Sequence, residues 1–173
     1  QEYACHSSKD KNKFFKEISK HHNPLVIFSP FLLLFSIYVF YTHQDSMQAD
    51  EGTYVQFAQN LLNGFYSPAA PDINLWCGPG YPIILMPFLA LGLPLISITL
   101  LNVLFQYFSI VLLYKSSIRY VSHRFALGIS LFWAFCYPAY SYISIIHTET
   151  FTWFLLTLLM YHLINCFSES NKK

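Results

Sequence analysis

The chemistry available to this sequence rests on three carboxylates and two histidines. Asp50 and Glu51 are adjacent at the head of the segment DEGTYVQFAQNLLN, residues 50–63. Glu149 stands between Thr148 and Thr150, two residues after His147, and His43 precedes the acidic pair. A carboxylate serves as a general base when partial desolvation lifts its pKa toward the working pH. Asp50 and Glu51 are the catalytic candidates on that ground, and Glu149 is a candidate for binding substrate. Asp50, Glu149 and His147 also offer oxygen and imidazole donors for a divalent metal, with His43 as a further imidazole. No other cofactor is expected. Each residue has a structural alternative. Asp50 suits the N-cap of a helix, Glu149 can be a readily solvated residue at a helix end, and the histidines can be polar aromatics at an interface.

The elements that must position these groups are set by hydropathy and charge. The chain has 173 residues, 54% hydrophobic, 19% aromatic and 11% charged, with a net charge of +1. A soluble domain carries about 25% charged residues. The apolar content excludes disorder, and the near-zero charge argues against nucleic acid as a partner. Every Lys and Arg falls within residues 9–20, 115–124 or 172–173. Such segregation is what retention of basic loops on the cytoplasmic side of a membrane produces. The expectation is an all-α, multi-pass integral membrane protein with a cytoplasmic N-terminus, in a bacterial inner (plasma) membrane rather than the endoplasmic reticulum.

The expected order is a cytoplasmic tail over 1–23, a first span over 24–42, an outer loop over 43–94 and a second span over 95–114. A cytoplasmic loop over 115–124, a third span over 125–144, an outer turn over 145–149, a fourth span over 150–167 and a cytoplasmic tail over 168–173 follow. On this topology the outer segments carry Asp45, Asp50, Glu51, Asp72 and Glu149 and no base, while the inner segments carry ten bases and four acids. A cleaved signal peptide is the competing reading of the first span, but its apolar stretch is longer than a typical signal core and the THQDSMQA that follows is a weak cleavage site. Cys5, Cys77, Cys136 and Cys166 have no metal-binding spacing and imply no disulfide framework. Cys77 falls on the outer side. Asn102 and Gln106, one turn apart in the second span, read as interhelical hydrogen bonds. Pro138 should kink or end the third span.

Within the outer loop, Tyr54, Phe57, Ala58, Leu61 and Leu62 recur at amphipathic spacing, predicting a juxtamembrane helix over 51–63 with Asp50 as N-cap and Gly64 just past its end. A Pro/Gly-rich stretch leads to Gly78-Pro79-Gly80-Tyr81-Pro82. A second helix over 82–92, with Pro82 in its first turn and Gly92 and Pro94 punctuating its end, is too short to span.

A cytoplasmic N-terminus, one span, an outer loop with an acidic pair three residues before a Tyr, a helix ending LLNG, the GPGYP turn, a short helix, a span carrying LLN and closing on LLYKSSIRY, and Thr148-Glu149 opening a later span form one layout. It resembles the N-terminal part of the C-type (GT-C) polytopic glycosyltransferases, in the branch of protein O-mannosyltransferases and lipid A aminoarabinose transferases. The resemblance covers roughly residues 20–167. It implies transfer of a sugar from a polyprenyl-phosphate carrier to a hydroxyl of a glycan, lipid or protein on the outer face, within a longer chain of which this is the N-terminal part. It maps the loop acid onto Asp50, with Glu51 adjacent, and a later acid onto Glu149. Trp76 and Tyr81 become candidates for stacking on a sugar, against the plainer reading that they belong to an interfacial aromatic belt. Many relatives place a base just before the turn, where this chain has Asn74-Leu75-Trp76-Cys77. The alternative is a non-catalytic four-span membrane protein, or a degenerate fragment, with a structural or assembly role.

Overall fold

A computed structural model describes residues 23–44, 46, 47 and 50–170, with side chains as far as Phe167. The expected basic tail, with Lys9 to Lys20, and Lys172 and Lys173 lie outside the described residues. The described chain is helical and contains no strand. Its elements are α1 (Pro24–Ile27), α2 (Ser29–Thr42), α3 (Glu51–Leu62), α4 (Gly80–Ala90), α5 (Ile96–Ser117), α6 (His123–Phe135), α7 (Tyr137–Ser141), a 3₁₀ turn (Tyr142–Ser144) and α8 (Thr148–Ser170). Three stretches are long and apolar enough to cross a membrane: Pro24–Thr42, Ile96–Ser117 and Thr148–Phe167. The third expected span is broken. Its two halves, His123–Phe135 and Tyr137–Ser144, bend by 53°, and counting them as one span gives four.

The break has a local cause. Pro138 has no N–H to give the Ala134 carbonyl, and its ring would clash there, so a helix cannot run through it. The backbone becomes extended at Cys136, and Pro138 falls at the start of α7, where its missing N–H costs nothing.

Helix α5 is the centre of the bundle, packed by α2, α6, α8 and the 3₁₀ turn. Half of its most apolar stretch is buried, against 6% for α8. One face of α5 carries buried Thr99, Asn102, Gln106 and Ser109. Thr99 and Ser109 satisfy their hydroxyls on their own helix, at the carbonyls of Ile96 and Phe105. The larger core, including Phe28, Phe35, Val39, Ile110 and Tyr114, joins α2 to α5 and α6.

Helices α3 and α4 pack on each other and cap the N-terminal end of α5, where Tyr54, Phe57, Tyr81, Leu85, Ile98 and Ile146 form a second core. The glycines read as punctuation act as such. Gly64 and Gly92 have positive φ. The amides of Gly64 and Phe65 bond Leu61 and Asn60, and those of Gly92 and Leu93 bond Leu89 and Phe88. These paired bonds close α3 and α4 and satisfy their last carbonyls.

Lys115, Arg119 and Arg124 lie at the opposite end of α5. There Tyr114 packs on Phe28, and its hydroxyl meets His123 Nδ1 at 2.7 Å. Asp50, Glu51 and Glu149 therefore lie at one end of the bundle and the described bases at the other.

Candidate functional site

The irregular segment 143–147 passes between the tips of α3 and α5 and brings the predicted acids together. Its backbone is held at several points. Asn102 Nδ2 donates to the carbonyls of Ile145 at 2.8 Å and Ile143 at 3.5 Å. The Ile146 N–H donates to Glu51 Oε1 at 2.7 Å across 95 residues of sequence. The Thr150 hydroxyl donates to the Tyr142 carbonyl at 3.4 Å. Unpaired backbone groups in an apolar bundle are costly, so these side chains are what allow the non-helical segment to exist there. Asn102 bonds outside its own helix, to this segment and not to another span, while Gln106, expected to do likewise, has no hydrogen-bond partner among the described residues.

Held this way, His147 lies between two carboxylates. Its Nδ1 is hydrogen-bonded to Glu149 Oε2. Its Nε2 is 3.8 Å from Asp50 Oδ2, within ion-pair range and too far for a direct hydrogen bond. The Tyr54 ring packs edge-on against the His147 ring, with centroids 5.6 Å apart.

Asp50, onto which the resemblance maps the loop acid, and its neighbour Glu51 are separated by the fold. Glu51 is buried and bonded to backbone. The Asp50 side chain is 60% exposed. Asp50 occupies the N-cap position of α3 but makes no side-chain cap bond. The expected capping role is therefore not used, and the carboxylate is turned to His147 and to solvent.

The other predicted residues divide. Glu149 joins the cluster. Tyr81 is a core residue whose ring packs between Tyr54 and Phe151 and whose hydroxyl meets Asn102 Oδ1 at 3.5 Å. Trp76 is 87% exposed, on the loop before α4, outside the cluster. Among the described residues no three His, Cys, Asp or Glu are set to hold a metal ion. Glu149, His147 and Asp50 thus form a carboxylate–imidazole–carboxylate row.

Two neighbours were not singled out as site residues by sequence. Tyr54 enters the sequence reading as part of an apolar face and as the Tyr after the acidic pair, with no role of its own. Its place one helical turn after Asp50 is the signal that would have found it. Burial raises its hydroxyl pKa, the hydrogen bond with Thr148 opposes this, and the charges of Cys77, Glu149 and Asp50 add to the rise. Burial likewise raises the Cys77 thiol, against a hydrogen bond with Tyr54. The Ile146 amide had no sequence signal at all, because a backbone N–H is common to almost every residue.

Comparison with known protein families, with curated proteins and with solved structures found no match.

Proposed function

We propose that this chain is the N-terminal membrane part of a C-type glycosyltransferase that moves a sugar from a polyprenyl-phosphate carrier to a hydroxyl acceptor. In this reading the Asp50 end of the bundle faces the outer side and the Lys115 end faces the cytoplasm. The observation that carries it is the division of labour between the adjacent acids. Glu51 fixes backbone, whereas Asp50 is open to solvent and paired through His147 to Glu149.

Asp50 is the general base that takes the acceptor's hydroxyl proton as that oxygen attacks the anomeric carbon. The carbon–oxygen bond to the carrier phosphate breaks with inversion, and the phosphate leaves with the bonding pair. His147 and Glu149 stabilise the proton gained at this end of the site and hold the imidazole in one orientation. The placing of Asp50, Glu51 and Glu149 at one end of α5 and of the described bases at the other supports the orientation.

Replacing a general base costs about 10²–10⁴-fold in rate. The test is transfer of labelled sugar from polyprenyl phosphate by membranes holding the full-length protein. Asp50→Asn should lose activity on that scale. Transfer at the wild-type rate by Asp50→Asn would sink the assignment.

A further inference from the structure

We propose that residues 73–77 form an apolar finger seated in the headgroup region of a lipid bilayer, with Trp76 at its tip. The proposal rests on the membrane-crossing helices and not on sugar transfer.

Ile73, Leu75 and Trp76 all project from a non-helical loop, with Trp76 the most exposed. Asp72 borders the finger, and no Asp, Glu, Lys or Arg follows from Ile73 to Tyr114.

Three backbone groups of the finger are bonded by nearby side chains. The Asn74 N–H donates to Ser67 Oγ at 2.7 Å, and the Trp76 N–H donates to Asn74 Oδ1 at 3.0 Å. The Tyr66 hydroxyl donates to the Cys77 carbonyl. Such bonds lower the cost of taking a non-helical loop into the water-poor headgroup region.

The base of the finger is fixed at span-end depth. Cys77 is buried in the same core as Ile98, in the first turn of α5, and the Tyr66 ring stacks on Phe57 with centroids 4.7 Å apart. The exposed apolar surface resumes just beyond, at Ile83 and Leu91, while Tyr81 and Leu85 face the core. Lipid is the occupant this setting selects, since the helix that anchors the finger is itself long and apolar enough to cross the bilayer. An indole with an apolar body and one N–H donor favours the headgroup boundary over the hydrocarbon centre.

The experiment uses the full-length protein in phosphatidylcholine vesicles, with or without lipids brominated near the headgroup end of the acyl chain. The Trp76 signal is taken as the difference between wild type and Trp76→Phe, so Trp133 and Trp153 stay in place. The expected result is loss of most of the Trp76 emission in brominated vesicles and little loss to aqueous iodide. Quenching by iodide but not by bromolipid would put the finger in water and overturn the proposal. Shielding from both would mean protein covers it, and would overturn the proposal equally. Asp50→Asn should leave the quenching unchanged, so failure of the transfer mechanism and failure of the finger are told apart.

Discussion

Glu51 should be a latch whose removal loosens the segment carrying His147. The Ile146 N–H donates to a buried carboxylate oxygen at 2.7 Å. A hydrogen bond to a charged group contributes about 1.5–3 kcal/mol, and removing one partner leaves the other buried without it. Glu51→Ala should therefore lower the unfolding free energy by ~2 kcal/mol. Glu51→Gln keeps a carbonyl oxygen as acceptor without the charge, and should cost ~1 kcal/mol. The specific readout is hydrogen exchange at the Ile146 amide in detergent or nanodiscs. A loss of ~2 kcal/mol in local protection corresponds to exchange roughly 30-fold faster. The sign is set by burial: an exposed carboxylate would be replaced by water at almost no cost, whereas Glu51 is only 8% exposed. Unchanged exchange at Ile146 in Glu51→Ala would refute the latch, whatever happened to global stability.

Other consequences can be measured with the same preparations. Gln106 is fully buried, and neither atom of its amide has a hydrogen-bond partner among the described residues. Gln106→Leu should stabilise the fold by about 1–3 kcal/mol in an unfolding titration, by removing an unmet desolvation cost. Destabilisation would mean that the amide has a partner. Burial first and foremost raises the hydroxyl pKa values of Tyr54, Tyr66 and Tyr81 above the ordinary 10.0. A raised folded-state pKa means that the neutral form is held, so this contribution to stability is fully present below pH 10.0 and is lost as pH rises further. Tyrosinate absorbance should lag that of the unfolded chain, and a coincident titration would contradict the burial. The proposed orientation is testable at Ala69, which is exposed, whereas Cys77 is buried and makes a poor reporter. In a cysteine-free background Ala69→Cys should react with an impermeant thiol reagent from outside. Labelling only after permeabilisation would reverse the topology.

Much of the frame was legible in the chain. The uncharged runs located the helices that can cross a membrane, because length and hydropathy are local properties. The glycine signals at Gly64 and Gly92 were legible because a left-handed residue after a helix is a backbone requirement that few side chains meet. Pro138 marked the third run as imperfect for the same kind of reason. The size of its effect was not legible. A kinked helix and a broken pair differ in how the chain continues past the proline, and the non-helical stretch that follows is held by Asn102, Glu51 and Thr150 from other elements.

The candidate site divides along the same line. Residue type and position marked Asp50, Glu51, His147 and Glu149 as the groups able to move protons, since few other residues at that end of the chain's charge pattern titrate. Residue type could not rank the two adjacent acids, and only the resemblance favoured Asp50. Neighbours on a helix point about 100° apart, and only the packing of α3 against segment 143–147 decides which direction is buried. That packing makes Glu51 a backbone anchor and leaves Asp50 facing His147 and solvent. Likewise Tyr81 and Trp76, alike as aromatics near one turn, end in the core and on the surface. Composition determined which groups exist and which helices can cross a membrane. Tertiary contacts determined which acid is free, because exposure is a property of the neighbours a side chain meets and not of the side chain itself.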